Sequence, residues 1–252
     1  MKRIARLAWF RTAALGAAAL AAPRAAQAQE PAPPPPPLKL TANAALVTAS
    51  GNTELTTLSG DQQVDYQPAG SRWTFTERIG AVYGRTDGVT SANRLEASLR
   101  VQRAIGERLA AFVSGKYERN RFAGIRRRFE EVAGLSYTIL DRPRTALTVE
   151  AGASFTQQRD LEGVDDAFVA ARTAGAFKQL FTESAYLQQT IELLPNLEES
   201  DDLRINSLTA LVAPLSRRFA LKVSYEIRYD KLPEPGFERT DRVFTSGLQV
   251  TL

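Results

Sequence analysis

The sequence predicts an all-β fold: a single closed antiparallel transmembrane β-barrel of about twelve strands. Three observations predict it. Apolar and polar residues alternate with a period of two in segments of ten or more residues from Leu38 to the C-terminus, which is typical of strands with two different faces. No apolar run of 18 residues follows the N-terminal region, so a membrane span would need strands that close on themselves. The first 28 residues have the pattern of an export signal.

The N-terminal segment, residues 1–28, has the organisation of a secretory signal peptide. Basic residues between Lys2 and Arg11 precede an alanine-rich apolar run over residues 12–22, and the small-x-small triplet Ala26-Gln27-Ala28 follows. That run is shorter than the roughly 20 residues that a membrane-spanning helix needs. We therefore predict export and cleavage after Ala28.

Export changes what the charge of the chain implies. Five of the 32 Lys and Arg residues lie in the signal segment, which leaves 27 basic against 28 acidic residues in the mature chain, a net charge of −1. The basic character of the full sequence therefore indicates no nucleic-acid partner. The chain has no Cys and no His, which excludes disulfides, Cys and Ser–His nucleophiles and His/Cys zinc sites. We expect no enzymatic activity, no metal site and no cofactor.

Two regions follow the signal segment. Residues 29–37 form a proline-rich leader, which predicts a disordered, extended tether. Residues 38–252 have a uniform character without an internal linker, and we assign them to one outer-membrane β-barrel domain. The predicted strands are Leu38–Ala49, Thr53–Gln67, Arg72–Arg85, Ala92–Ile105, Leu109–Arg121, Arg126–Leu140, Thr145–Arg159, Ala167–Leu180, Ala185–Leu194, Leu203–Leu215, Phe219–Asp230 and Arg239–Leu252.

The breaks between these strands alternate in length. Short breaks such as Gln67–Ser71 and Ser216–Arg218 alternate with a second set, most of which are longer: Thr86–Ser91, Phe122–Ile125, Asp160–Asp166, Pro195–Asp202 and Lys231–Glu238. Bacterial outer-membrane barrels have an even strand number, short periplasmic turns and longer outer loops. Aromatic residues at both strand ends, for example Trp73 and Tyr83, predict the two interfacial girdles of such a barrel.

The polar faces of the predicted strands carry many charges. In a barrel these side chains line the lumen, where pairing lowers the free-energy cost of confinement. The predicted lumen-lining residues are Arg78, Arg94, Glu96, Arg100, Lys116, Glu118, Arg128, Glu130, Glu150, Arg172, Glu192, Arg204, Lys222, Glu226, Arg228 and Asp230. Glu77 and Glu131 fall on the apolar face instead, and for Glu77 we predict a β-bulge that resets the register.

Three local features resemble one known family. They are Ser50-Gly51-Asn52-Thr53-Glu54 after the first strand, the run from Arg121 to Arg128, and the segment from Tyr229-Asp230 through Pro233 and Gly236 to Thr240-Asp241. Their order and spacing resemble the salt-induced outer membrane protein family, the YdiY-like proteins, over about residues 39–252. The resemblance implies a barrel in the outer membrane of a Gram-negative bacterium. It implies no activity, because the role of that family is not settled.

The last strand also resembles a recognition signal, the one read by the outer-membrane assembly machinery. Phe244, Leu248, Val250 and Leu252 occupy alternate positions up to the final residue, although that signal usually ends in an aromatic residue. We therefore expect three partners: outer-membrane lipid, lipopolysaccharide and the assembly machinery.

Two functions stay open on the sequence alone. The first is a small channel for ions or small solutes, because twelve strands lie between filled eight-stranded barrels and water-filled porins. Nine basic against seven acidic predicted lumen residues favour a slight anion preference. The alternative is a non-conducting structural or interaction barrel whose lumen charges pair and exclude water. A soluble periplasmic β protein is a third, less favoured reading.

Two charged segments at the predicted outer end of the barrel have alternative interpretations. The acidic run from Glu198 to Asp202 is interpreted as solvated loop charge in preference to a divalent-cation site. Arg126-Arg127-Arg128 is either a clamp for lipopolysaccharide phosphate or ordinary rim and lumen charge, because alternation sends neighbouring side chains to different faces.

Overall fold

A computed structural model describes residues 37–49 and 54–252. The predicted signal peptide, the leader up to residue 36 and the connection over residues 50–53 lie outside the described residues. The described strands are β1 Leu38–Ala49, β2 Leu55–Tyr66, β3 Trp73–Thr86, β4 Val89–Ala104, β5 Leu109–Asn120, β6 Ile125–Arg142, β7 Thr145–Asp160, β8 Asp165–Leu180, β9 Tyr186–Pro195, β10 Leu203–Pro214, β11 Phe219–Asp230 and β12 Thr240–Thr251. A 3₁₀ turn, Arg121–Ala123, lies between β5 and β6.

The sheet is a closed barrel. Every strand pairs antiparallel with its neighbours in sequence, and β1 pairs with β12 through the register Thr41↔Thr251 to Ala44↔Leu248. Closure leaves no sheet edge exposed to lipid, where unpaired backbone groups would cost several kcal/mol each. The predicted twelve-stranded antiparallel barrel is confirmed. Within the described residues, no helix is long and apolar enough to cross a membrane.

The two faces of the sheet differ as the alternation requires. In β6, Glu130, Val132 and Ser136 are buried, whereas Phe129 and Leu135 between them are exposed. The same outward face carries exposed aromatic residues at both ends of the barrel: Tyr66, Trp73, Tyr137 and Phe219 at one end, and Tyr83, Phe129, Phe155 and Phe244 at the other. Within residues 37–49 and 54–252, no second protein layer covers the apolar side chains that point outward, so the exterior is suited to hydrocarbon.

The bulge predicted at Glu77 is wrong. Glu77 pairs with Val64 on one side and with Leu99 on the other, in ladders that run unbroken through mid-strand. A bulge there would turn one end of β3 inside out, whereas an unbroken ladder keeps both Trp73 and Tyr83 outward. The carboxylate consequently faces outward, and its Oε1 is buried without a hydrogen-bond partner among the described residues.

The longer outer connection predicted at Thr86–Ser91 is also wrong. Here β3 and β4 continue to a two-residue turn, Asp87-Gly88, in which both residues have positive φ, 49° and 79°. Such turns match the twist of an antiparallel hairpin, and Gly adopts this conformation without strain. The longer connections at this end are residues 196–202 and 231–239.

Candidate functional site: the charged interior

Ion pairs cross the interior of the barrel. Strands β4 and β11 are not neighbours in the ring, so side chains that join them must meet inside it. The guanidinium of Arg94 lies 2.8 Å from Glu226, with Nη2 donating to Oε2. Arg228 on β11 reaches Glu118 on β5, with Nη1 donating to Oε1 at 2.8 Å, and it also pairs with Glu96 on β4.

These residues belong to a larger group near the end of the barrel that carries the longer connections. We call it the outer cluster: Arg94, Glu96, Lys116, Glu118, Arg128, Glu226 and Arg228. Lys116 Nζ lies 3.8 Å from Glu96 and 3.9 Å from Glu118, and Arg128 lies 3.9 Å from Glu118. Glu118 is only 3% exposed. A carboxylate this buried is stable because several cations surround it.

A second group lies closer to the end with the short turns. We call it the inner cluster: Arg100, Glu150, Arg172 and Glu192. Arg100 and Arg172 both donate to Glu150, at 2.7 and 2.8 Å, and Arg172 Nε donates to Glu192 at 2.5 Å. The guanidinium carbon of Arg100 lies 3.7 Å from the centroid of the Phe112 ring. This geometry adds a cation–π contact to the ion pairs.

Besides the two clusters, the interior holds a buried ion pair between Arg204 and Glu130. Arg204 Nη1 donates to Glu130 at 3.2 Å, and its Nη2 donates to Thr156 Oγ1 at 3.1 Å. All three residues are buried. The pair joins β10 to β6 and β7 and therefore also crosses interior space.

The structure thus brings fourteen of the sixteen predicted residues into ion pairs. Arg78 and Asp230 have none among the described residues. Arg78 Nε donates to Gln63 Oε1 at 2.9 Å, and Asp230 accepts a hydrogen bond from the backbone of Leu232 at 3.1 Å. Lys222 pairs at 3.8 Å with Asp61, a residue absent from the prediction.

Sequence reasoning missed Asp61 because β2 alternates weakly. Its outward positions include Gly60 and Gln62, so no apolar face marks the strand, although strict counting from Leu58 places Asp61 inward. Phe112 was missed for a different reason. It is an inward aromatic with 3% exposure, on a face that the charge pattern marked as polar.

The wall formed by β1, β2 and β3 differs from the rest of the interior. Two of its inward side chains, Asp61 and Arg78, are exposed, with 51% exposure for the Asp61 side chain. Gly80, which is also inward, has no side chain to fill the space beside them. Solvent therefore reaches mid-barrel along this wall, while the clusters occupy the interior around β4–β11.

The connection over residues 231–239 lies over the outer end. Glu234 packs on Gly124 so closely that a Cβ there would lie 2.6 Å from the Glu234 Cβ, and Gln158 Nε2 donates to the Glu234 carboxylate. Burial raises the pKa of Glu234, and the nearby Asp160 raises it further. Lys231 pairs with Asp201 at 2.8 Å. Beneath this connection lies a cavity of about 60 Å³ bounded by Glu118, Arg128 and Arg228.

Comparisons with known proteins agree with this architecture. The family model described as "Protein of unknown function, DUF481" matches residues 42–252. The Escherichia coli K12 protein named "Uncharacterized protein YdiY" is 23% identical over 207 residues, which cover 82% of this chain and 80% of that protein. The resemblance drawn from the sequence is therefore confirmed.

A solved outer-membrane barrel, the NanC porin, shares the fold. The NanC porin superposes with a TM-score of 0.53 at 10% identity, covering 85% of this chain and all of that one. An outer membrane channel from Pseudomonas putida F1 has a TM-score of 0.48 at 11% identity, covering 85% and 93% of the two chains. A closed barrel with an apolar exterior and aromatic ends is the architecture of the Gram-negative outer membrane, and this chain is located there.

Proposed function

The chain belongs to the family described as "Protein of unknown function, DUF481", and from its interior we propose that it is a narrow channel for ions and small solutes with a weak preference for anions. The observation that carries the proposal is the solvated β1–β3 wall. Asp61 and Arg78 point inward at mid-barrel and are nevertheless exposed. A barrel filled completely by its own side chains would bury them.

The narrowness follows from the clusters. The outer and inner clusters occupy much of the cross-section with paired side chains, and the connection over residues 231–239 lies over one mouth. Ion pairs of this kind are fixed obstacles, because separating them in a confined space exposes unpaired charge. We therefore expect passage of ions and small solutes and exclusion of larger ones.

The weak anion preference follows from inward charged residues that belong to neither cluster and form no ion pair among the described residues. In the half of the barrel nearer the short turns, three cations, Lys39, Arg78 and Lys178, point inward without a salt bridge among the described residues, against two inward carboxylates, Asp65 and Asp141. Paired charges largely cancel at a distance, whereas unpaired ones set the potential along the path. An excess of unpaired cations favours anions.

One observation favours a second candidate, a non-conducting structural barrel. Arg228 and Arg94 bridge strands on opposite sides of the ring, and such bridges brace a barrel against deformation as well as narrowing it.

The fold neighbours are porin-like barrels, and the family has no assigned activity, so we propose no enzymatic reaction.

Planar-bilayer recording of the purified protein tests the proposal. We expect discrete conductance steps and a reversal potential displaced toward the anion under a salt gradient. Arg78→Glu should move that potential toward the cation, because it reverses an unpaired charge on the path. The matched control is Arg103→Glu, since Arg103 lies on the outward face over Trp73. A folded barrel that stays silent at all voltages would contradict the channel and favour the structural barrel.

A further inference from the structure

The outward face of β5, β6 and β7 ends in three arginines. Arg119, Arg127 and Arg159 lie at the outer end of their strands, beyond the outward aromatics Tyr117, Phe129 and Phe155. We call these three the arginine rim. Tyr117 and Phe129 are direct cross-strand partners, with ring centroids 5.1 Å apart. The rim therefore sits immediately above the aromatic surface, at headgroup depth if the aromatics mark the interface.

The rim carries more positive charge than its neighbours neutralise. Arg127 and Arg159 stand directly opposite one another on β6 and β7, an arrangement that is unfavourable for like charges. They share one carboxylate, Asp165, which pairs with Arg159 and lies 3.9 Å from Arg127. On β6 itself, the outward carboxylate Glu131 lies on the membrane side of Phe129. Three guanidinium groups thus face one nearby carboxylate.

Arg119 has unused donors. Its Nη2 makes one long hydrogen bond of 3.4 Å to Asn93 Oδ1, and its Nε is buried with no hydrogen-bond partner among the described residues. A buried guanidinium N–H without an acceptor is unfavourable by itself. An external anion would instead accept from Nη1, which makes no hydrogen bond among the described residues and is not buried. By contrast, the neighbouring Arg126 already donates to the carbonyl of Leu161.

From this placement we infer that the arginine rim binds the phosphate of an acylated outer-leaflet glycolipid, lipopolysaccharide. Guanidinium groups present several N–H donors in a plane that matches phosphate oxygens. The aromatic surface directly below provides contact for the acyl chains of the same molecule. Both halves of the site are needed for a lipid, whereas a free phosphate would use the arginines alone. The inference does not depend on whether the lumen conducts.

The opposite end of the barrel supplies a matched control. Arg103 also lies on the outward face beside an aromatic, with its guanidinium 5.4 Å from the Trp73 ring centroid. It is at the end with the short turns and has no second arginine directly across the ladder, because its partners there are Trp73 and Ala111. Arg103→Gln removes one outward charge without touching the rim.

The test is a binding titration on the full mature barrel in detergent micelles. Wild type, the double variant Arg119→Gln/Arg127→Gln and the control Arg103→Gln are titrated with lipopolysaccharide, with enzymatically dephosphorylated lipopolysaccharide and with inorganic phosphate. We expect the double variant to bind lipopolysaccharide roughly tenfold more weakly or worse, since charge-assisted hydrogen bonds are lost. The control Arg103→Gln should bind lipopolysaccharide with wild-type affinity. Dephosphorylated lipopolysaccharide should bind weakly to wild type, with an affinity similar to that of intact lipopolysaccharide for the double variant.

Three results would overturn the inference. They are an unchanged affinity in the double variant, an equal loss in Arg103→Gln, and binding of inorganic phosphate as tight as that of lipopolysaccharide. The heat-dependent gel mobility of the barrel reports its folding. If the double variant does not fold, the comparison of intact with dephosphorylated lipopolysaccharide on wild type decides the question alone.

Discussion

Arg228 and Glu118 meet across the full width of the barrel. Their strands, β11 and β5, are six steps apart in the ring of twelve, yet Arg228 Nη1 donates to Glu118 Oε1 at 2.8 Å. Glu118 also lies within 3.9 Å of Lys116 and of Arg128. One carboxylate therefore lies against cations from three strands.

Replacing Glu118 by Gln should destabilise the barrel. The change leaves Lys116, Arg128 and Arg228 without their shared carboxylate, and removing one partner of a buried ion pair typically costs about 3 kcal/mol or more. The free energy of unfolding in urea, measured in lipid vesicles, checks this. Glu107→Gln is the control, because Glu107 is exposed in the turn between β4 and β5. An equal loss in the two variants would show that the outer cluster contributes nothing specific.

Filling the β1–β3 wall should reduce conductance. Gly80 points inward, and a Cβ built there would make ordinary contact with the Asp61 Cβ at 3.5 Å. Gly80→Trp should therefore fold and lower the single-channel conductance by roughly half or more, because it obstructs the solvated path. Ala81→Trp places the same bulk on the lipid side of the next residue and should leave conductance unchanged. Equal conductance in the two variants would place the path elsewhere.

Opening at the outer mouth should depend on pH through Glu234. Burial raises the pKa of this carboxyl group in the docked connection, so docking binds a proton more tightly than the undocked state does. The protonated Glu234 carboxyl group stabilises the docked connection fully at pH values below the ordinary carboxyl pKa. This stabilisation is lost as the pH rises through the raised pKa. We expect the open fraction in bilayer recordings to rise with pH over that window.

Glu234→Gln should flatten this dependence, because an amide does not titrate there. Glu238→Gln changes an exposed carboxyl of the same connection and should leave the pH profile as in wild type. A profile that is unchanged in Glu234→Gln would assign the pH response to another group.

Gly152 should not tolerate a side chain. It faces Gly134 across the β6–β7 ladder, and a Cβ at Gly152 would lie 2.3 Å from the Ala133 carbonyl oxygen. Gly152→Ala should lower the free energy of unfolding by about 1–3 kcal/mol, since backbone must shift to admit the methyl group. Gly115→Ala is the matched control in the same sheet, because a Cβ there has open space around it. A similar effect of both changes would contradict the close approach of β6 and β7.

The mature protein should begin at Gln29. The triplet Ala26-Gln27-Ala28 ends the signal segment, and signal peptidases cleave after such small residues. Mass spectrometry of protein purified from outer membranes measures the N-terminus directly. Retention of residues 1–28 would show that the segment serves as an anchor.

Much of the fold could be predicted because strand alternation is a local property. The bounds of β1 and β11 agree with the sequence to the residue, at Leu38–Ala49 and Phe219–Asp230. The wrong predictions concern positions where the local sequence is compatible with two structures. Outward Glu77 broke the apolar face and suggested a bulge that the ladder does not contain. The sequence pattern places Asp87-Gly88 in a longer loop, although two residues suffice for the turn.

The sequence by itself determined that the chain alternates between two chemical environments and that its strands close into a barrel with charge inside. The first property follows from the two-residue period of apolar and polar side chains, and the second from the number of strands. Both can be counted along the sequence. Only the tertiary structure decided that Arg228 meets Glu118, that Arg78 has no ion pair within the described part of the chain, and that the β1–β3 wall is solvated. The contact of Arg228 with Glu118 joins strands far apart in sequence. The position of each charge along the barrel axis is set by the tilt and stagger of the closed sheet, which no local pattern records.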